Sequence, residues 1–176
     1  MLRLFVGIEL PESVRAALAA VREDYPAAHW HEPEHLHLTL NFIGSVDEEC
    51  ARSMTMALRY VPGAPFSLTV QGVGYFGTPE RPSVLWAGVA PNQQLHELQQ
   101  RLEARLLPLG LVVEDRPYAP HITLARVKPG VPLQTFLQRH ARLSIPAFPV
   151  EHISLFLSSR GEHGVRYQVI ERFRLD

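Results

Sequence analysis

The sequence predicts an α+β protein of two pseudo-symmetric lobes, each an antiparallel sheet with helices on its outer face, and a cleft between them. Three observations carry this. Short apolar or alternating runs closed by Pro or Gly are interleaved with stretches of helical periodicity. A strand–helix–strand unit begins near residue 2 and again near residue 84. The second strand of each unit holds the same small motif, His37-Leu38-Thr39-Leu40 and His121-Ile122-Thr123-Leu124. A length of 176 residues suits a single bilobal domain over 1–176 better than two independent domains.

Each element has its own signal. Residues 2–10 are a continuous apolar run ended by Pro11, hence a buried strand. Pro11 followed by Val14, Ala17, Leu18 and Val21 predicts a helix over 11–24. Residues 36–43 alternate apolar with polar and stop at Gly44, which gives a strand with one polar face. Asp47 caps the next helix, with Met54, Ala57, Leu58 and Val61 at helical spacing. Phe66, Leu68 and Val70 mark a strand over 66–73, and the glycines and prolines of 74–82 predict a loop. In the second half, residues 84–91 form a buried strand and Leu95 to Leu109 a helix closed by Gly110. The strand of the second motif follows, then a short helix near 132–140 and closing strands at about 146–157 and 165–174.

Composition narrows the class. With 46% hydrophobic and 20% charged residues the chain is neither disordered nor membrane-spanning, and a cytoplasmic location is expected. The single Cys50 excludes an intrachain disulfide and a cysteine-based zinc site. Nine histidines in 176 residues is about twice ordinary usage, which points to chemistry near neutral pH. The net charge of −1 conceals an asymmetry: residues 1–90 carry 6 basic and 10 acidic side chains, residues 91–176 carry 11 and 8. A basic C-terminal part in a neutral protein fits a local anion site better than a broad nucleic-acid surface.

The paired motifs state the chemistry. In a strand, residues i and i+2 share a face, so each motif buries its aliphatic residues and presents an imidazole beside a hydroxyl. One His-apolar-Thr is weak evidence; two, 84 residues apart in matching places of a repeat, are strong. Neutral imidazole accepts a proton from attacking water, and imidazolium gives one to a departing alkoxide. Thr39 and Thr123 can donate to non-bridging phosphoryl oxygens. Facing lobes would place base and acid on opposite sides of one phosphorus, as in-line displacement requires.

At these residues the chain resembles the 2H phosphoesterases, and within them the RNA 2′,3′-cyclic phosphodiesterases, also called 2′-5′ RNA ligase-like proteins. The resemblance covers nearly the whole chain. It includes the N-terminal strand, both motifs with the segments around them, the Val84 to Val89 strand, and a terminal Ser-rich strand with Tyr167. It implies hydrolysis of RNA 2′,3′-cyclic phosphate ends to 2′-phosphate without a metal or other cofactor, with weak reversible 2′-5′ ligation. It also implies His37 as general acid, His121 as general base, and Thr39 and Thr123 as phosphate ligands. Arg126 stands at the family's arginine position, although strand parity aims it away from His121 unless the strand ends or bulges near Ala125. Asn41 departs from the family, which often has lysine there. The implied partner is RNA with a cyclic phosphate end; no membrane partner is expected from the short apolar runs, and a monomer is the default where the sequence is silent. The alternatives are a 2H esterase acting on a small cyclic nucleotide or ADP-ribose cyclic phosphate, and a non-catalytic RNA-end binding protein.

Several other side chains compete. His35 and His37 with His29 or His31 suggest zinc, but no further ligand with its own supporting shell is evident, and no metal is expected. His152-Ile153-Ser154 repeats the His-apolar-hydroxyl pattern without a matching unit before it, and reads as structural or cleft-edge. His35 is expected in solvent near the strand's mouth, and His96, His140 and His163 on solvated surfaces. Trp30 and Phe42 read as core. Phe76, in the predicted loop, is the candidate for stacking an RNA base, and Tyr167 stands between a core aromatic and a hydroxyl near the phosphate.

Overall fold

The computed structural model describes residues 1–176. Nine strands and four helices follow in the order β1 (Leu2–Glu9), α1 (Glu12–Ala19), β2 (Ala28–Trp30), β3 (His37–Val46), α2 (Glu48–Leu58), β4 (Phe66–Gly77), β5 (Pro82–Val89), α3 (Gln93–Leu106), β6 (His121–Val127), α4 (Leu133–Arg139), β7 (Ser144–Val150), β8 (His152–Gly161) and β9 (Gly164–Arg174). Asp47 and Asn92 cap α2 and α3, accepting from the backbone N–H of Cys50 and Leu95. Gly110 ends the α3 segment in the left-handed conformation, φ 104°.

The strands form two antiparallel sheets, ordered β3-β1-β8-β9 and β2-β6-β5-β4-β7. Each motif strand pairs with the strand that opens its unit: β3 with β1, and β6 with β5. Leu38, Leu40, Ile122 and Leu124 point inward, and one cluster of 39 buried apolar residues runs through both lobes. No helix is long and apolar enough to cross a membrane.

Four features differ from the expectation. Helix α1 ends at Ala19, short of residue 24. Strand β4 runs on to Gly77, so Tyr75 and Phe76 lie in a hairpin strand and only 78–81 turns. The glycines that suggested a loop instead leave room on a sheet face: a side chain on Gly74 would strike the Trp86 ring at 2.3 Å. The expected strand over 146–157 breaks at Glu151, with β7 and β8 in different sheets. Residues Ala28–Trp30 cross from the first half of the chain to pair with β6.

Candidate active site

The motif strands carry the same irregularity. Val6 pairs with Asn41 and Gly7 with Thr39, which leaves Leu40 as an extra residue on β3. Leu85 pairs with Ala125 and Trp86 with Thr123, which leaves Leu124 extra on β6. Each bulge puts two consecutive residues inward, Leu40 with Asn41 and Leu124 with Ala125, all under 9% exposed. Alternation then resumes with the opposite parity. Arg126 therefore emerges on the face of His121 and Thr123, and Phe42 on the face of His37 and Thr39. These pairings also show that Gly88, opposite His121, corresponds to Glu9, opposite His37.

Both imidazoles are held alike. Nδ1 of His37 lies 2.7 Å from the carbonyl oxygen of His35, and Nδ1 of His121 lies 2.9 Å from that of Ala119. A carbonyl only accepts, so Nδ1 carries a proton on both rings and Nε2 is the nitrogen left for exchange. Tyr118, just before β6, donates its hydroxyl to the Thr39 carbonyl at 2.7 Å and so ties the two motif strands together.

The surroundings of the two rings differ. His37 packs among Phe5 (4.8 Å between centroids), Phe156 (5.4 Å) and Tyr167 (4.9 Å, edge-on). Burial holds it down to about 4, and the charge of His121 pushes in the same direction, so the two imidazoles sense each other across the cleft. His121 meets Phe76 edge-on at 4.7 Å, with Trp86 at 6.4 Å. Burial raises the Tyr167 phenol, while Arg126 and Arg3 act against it, so a β9 hydroxyl and a β6 guanidinium lie within electrostatic reach of each other. His31 is likewise held to about 4 by burial, then by His37 and Arg126.

Beside this centre Glu9 accepts four hydrogen bonds. Its Oε2 takes Ser154 Oγ (2.6 Å), Arg172 Nε (2.7 Å) and His152 Nε2 (3.0 Å), and its Oε1 takes Arg172 Nη2 (2.9 Å). Chiefly through Arg172 its carboxyl falls to about 2. His152 is thereby engaged with Glu9, at the side of the cleft.

Among the predicted site residues, Phe76 lies on a strand beside His121, and Tyr167 lies beside His37. Trp30 is core, but Phe42 is 58% exposed. His35 is half-buried against Tyr167 and His96 half-buried against Tyr118, neither in open solvent, whereas His163 is exposed. His140 packs on Phe136 and faces Glu23. No three His, Cys, Asp or Glu side chains converge in a way that could hold a metal ion. Sequence reasoning missed Trp86, Tyr118 and the Glu9 cluster. Only Glu9 left a signal, a carboxylate closing an otherwise apolar strand.

Known proteins share this architecture. An RNA 2′,3′-cyclic phosphodiesterase of Methanocaldococcus jannaschii is 29% identical over 98% of this chain and 100% of its own length. One of Thermotoga maritima is 37% identical over 72% and 71%. One of Geobacillus stearothermophilus is 32% identical over 97% of this chain, which spans 56% of that relative's length. Among solved structures, TT0787 of Thermus thermophilus superposes with a TM-score of 0.86 at 31% identity, covering 98% of this chain and 97% of that one. E. coli LigT complexed with 3′-AMP gives 0.81 at 27% identity, covering 99% and 98%. The model of the 2′-5′ RNA ligase superfamily matches residues 10–162, and the chain belongs to that superfamily.

Proposed function

We propose that this chain is an RNA 2′,3′-cyclic phosphodiesterase that opens cyclic phosphate ends to 2′-phosphates by paired imidazole catalysis without a metal. The observation that carries the reading is the matched pair of histidines, each with Nδ1 donating to the carbonyl two residues earlier and Nε2 free. The names of the curated relatives point to the same substrate.

In this mechanism His121 Nε2 takes a proton from water as the oxygen attacks phosphorus. His37 Nε2 gives a proton to the departing 3′ oxygen, the P–O3′ bond breaks, and the 2′-phosphate remains. Thr39, Thr123 and Arg126 hold the non-bridging oxygens. An acid held at about 4 is neutral in the empty cleft at pH 7, and the substrate itself supplies the correction. A unit negative charge about 4 Å away, at an effective dielectric of about 20, is worth about 4 kcal/mol. That suffices to lift an imidazole from about 4 to about 7. His37 is thus charged only when a phosphodiester is bound. The same displacement with a 5′-hydroxyl attacking in place of water breaks the same P–O3′ bond and gives weak 2′-5′ ligation.

Residues 1–176 act as one bilobal domain, monomeric and cytoplasmic. The test is product analysis on an RNA ending in 2′,3′-cyclic phosphate with excess EDTA. Sole accumulation of the 2′-phosphate supports the reading; unchanged RNA, a 3′-phosphate, or loss of activity to the chelator contradicts it.

A further inference from the structure

The sheet order puts β2 on one flank of β6 and β5, with Trp86, on the other. The β2 flank carries cations that the mechanism leaves unused. His29 pairs with Arg126 across the two strands, so their side chains share a face. The His29 ring reaches the β8–β9 turn, where a side-chain carbon on Gly164 would stand 3.8 Å from its Nε2. His31, whose N–H bonds to the Leu124 carbonyl at 2.9 Å, lies within electrostatic reach of Arg126 and His37. From the facing sheet, Tyr167 meets the His31 ring at 6.3 Å and the His37 ring at 4.9 Å, so the two imidazoles flank one phenol. Arg3 acts on the same phenol; it pairs with Ser158, and Ser158 with Tyr167.

These groups face no carboxylate partner. The charges that act most on His31 are those of His37, Arg126, His29 and His35, all positive. Neither Arg3 nor Arg126 makes an ion pair. Glu9 is spent on Arg172, and Glu32 turns toward Arg22 at 3.9 Å. Glu34 and Glu162 are exposed and pair with none of these groups. Setting imidazoles among like charges disfavours their protonation in the empty protein. An anion placed there reverses this: a neutral imidazole already offers it one N–H, and the negative charge favours the proton that supplies a second.

We propose that His29 and His31, with Arg3, form a second anion subsite that takes the 5′-phosphate of the reacting nucleotide, the first phosphodiester upstream in an RNA chain. The inference rests on the cyclic phosphodiesterase reading, in which the cyclic phosphate lies between His37 and His121 and is held by Arg126. A ribose then spans from that phosphate past Tyr167 toward His31, and the chain leaves the cleft between β2 and the β8–β9 turn. The subsite makes a continuing RNA strand, and not a lone cyclic nucleoside phosphate, the preferred ligand. Because the contact is to a phosphate, it discriminates by charge and not by base.

The experiment compares kcat/KM for adenosine 2′,3′-cyclic phosphate carrying a 5′-hydroxyl or a 5′-phosphate. It also compares a cyclic-ended ApA dinucleotide joined by a phosphodiester or by an uncharged methylphosphonate. The charged member of each pair should be about tenfold better, mainly through KM. The double variant His29→Gln, His31→Gln should lose most of that advantage and keep turnover of the 5′-hydroxyl substrate within about twofold. Arg3→Gln, at an exposed position, should lose part of it and serves if the double variant does not fold. Equal wild-type treatment of the charged and uncharged members overturns the proposal, as does an unchanged advantage in a folded double variant. If no cyclic phosphate is opened, the enzymatic reading fails by itself, and calorimetry decides the subsite. Adenosine 2′,5′-bisphosphate binding about tenfold tighter than 2′-AMP supports it, and equal binding overturns it.

Discussion

Tyr118 donates its hydroxyl to the backbone carbonyl of Thr39 at 2.7 Å, a bond between the segment that leads into one His-x-Thr motif and the middle of the other. The phenol is buried, and burial raises its pKa, so it stays neutral and available as a donor across the physiological range. Through this contact the spacing of the two imidazoles is set by hydrogen bonding as well as by core packing.

Tyr118→Phe removes that donor and leaves the Thr39 carbonyl unpaired, a cost of about 1–3 kcal/mol. In a chain of 176 residues this should lower Tm by several degrees. We expect kcat to fall about tenfold with KM little changed, because the motifs lose mutual registration and not phosphate contacts. Thermal melts and steady-state kinetics on the variant check both.

The parity change at Leu124 turns Arg126 onto the face of His121 and Thr123, where the proposed mechanism uses it to hold the phosphate. Arg126→Leu should raise KM for a cyclic-ended RNA about tenfold or more and leave Tm within a degree or two, since the side chain is exposed. Arg126→Lys should recover only part of the loss, because a point charge replaces a fork. Kinetics of the two variants side by side provide the check.

Stability should decline steeply in acid, for two reasons of the same sign. His31 and His37 are held to about 4, below the ordinary 6.5, so the unfolded chain takes protons that the native state refuses. Stability is lost as pH falls from about 6.5 to 4. Glu9, held at about 2 by Arg172, Ser154 and His152, adds stability that is present above 4.5 and lost as pH falls from 4.5 toward 2. Urea unfolding between pH 7 and 3 should show both phases. Glu9→Gln should flatten the lower one and leave the upper one in place.

Much of this was legible because it depends on local pattern. The alternation that buries Leu38 and Ile122 also exposes His37 and His121, and the caps at Asp47 and Gly110 stand in the sequence. What stayed hidden depends on partners. A bulge has no residue signature in Leu40 or Leu124, yet it decides that Phe42 faces the cleft and that Arg126 joins His121. Phe42 reads as core only under unbroken alternation. Trp86 reads as part of a buried run until Gly74, on the neighbouring strand, is seen to make room for its ring. The Glu9 cluster joins residues more than 140 positions apart, and no spacing rule reaches that far.

The state of His37 offers a spectroscopic check on the proposed roles. Its imidazole should titrate at about 4 in the free protein and near neutrality with 2′-AMP bound, as followed by NMR of the ring proton. A value that stays near 4 in the complex would assign the acid to another group.

The most direct measurement is the rate of ring opening by His37→Ala and His121→Ala, each verified as folded, on RNA with a 2′,3′-cyclic phosphate end. Two imidazoles acting on one phosphorus predict losses of about 10²–10⁴-fold or more for each substitution alone. They also predict that the double variant is little worse than either single one, since acid and base serve the same step. Activity within tenfold of wild type in either single variant contradicts the account.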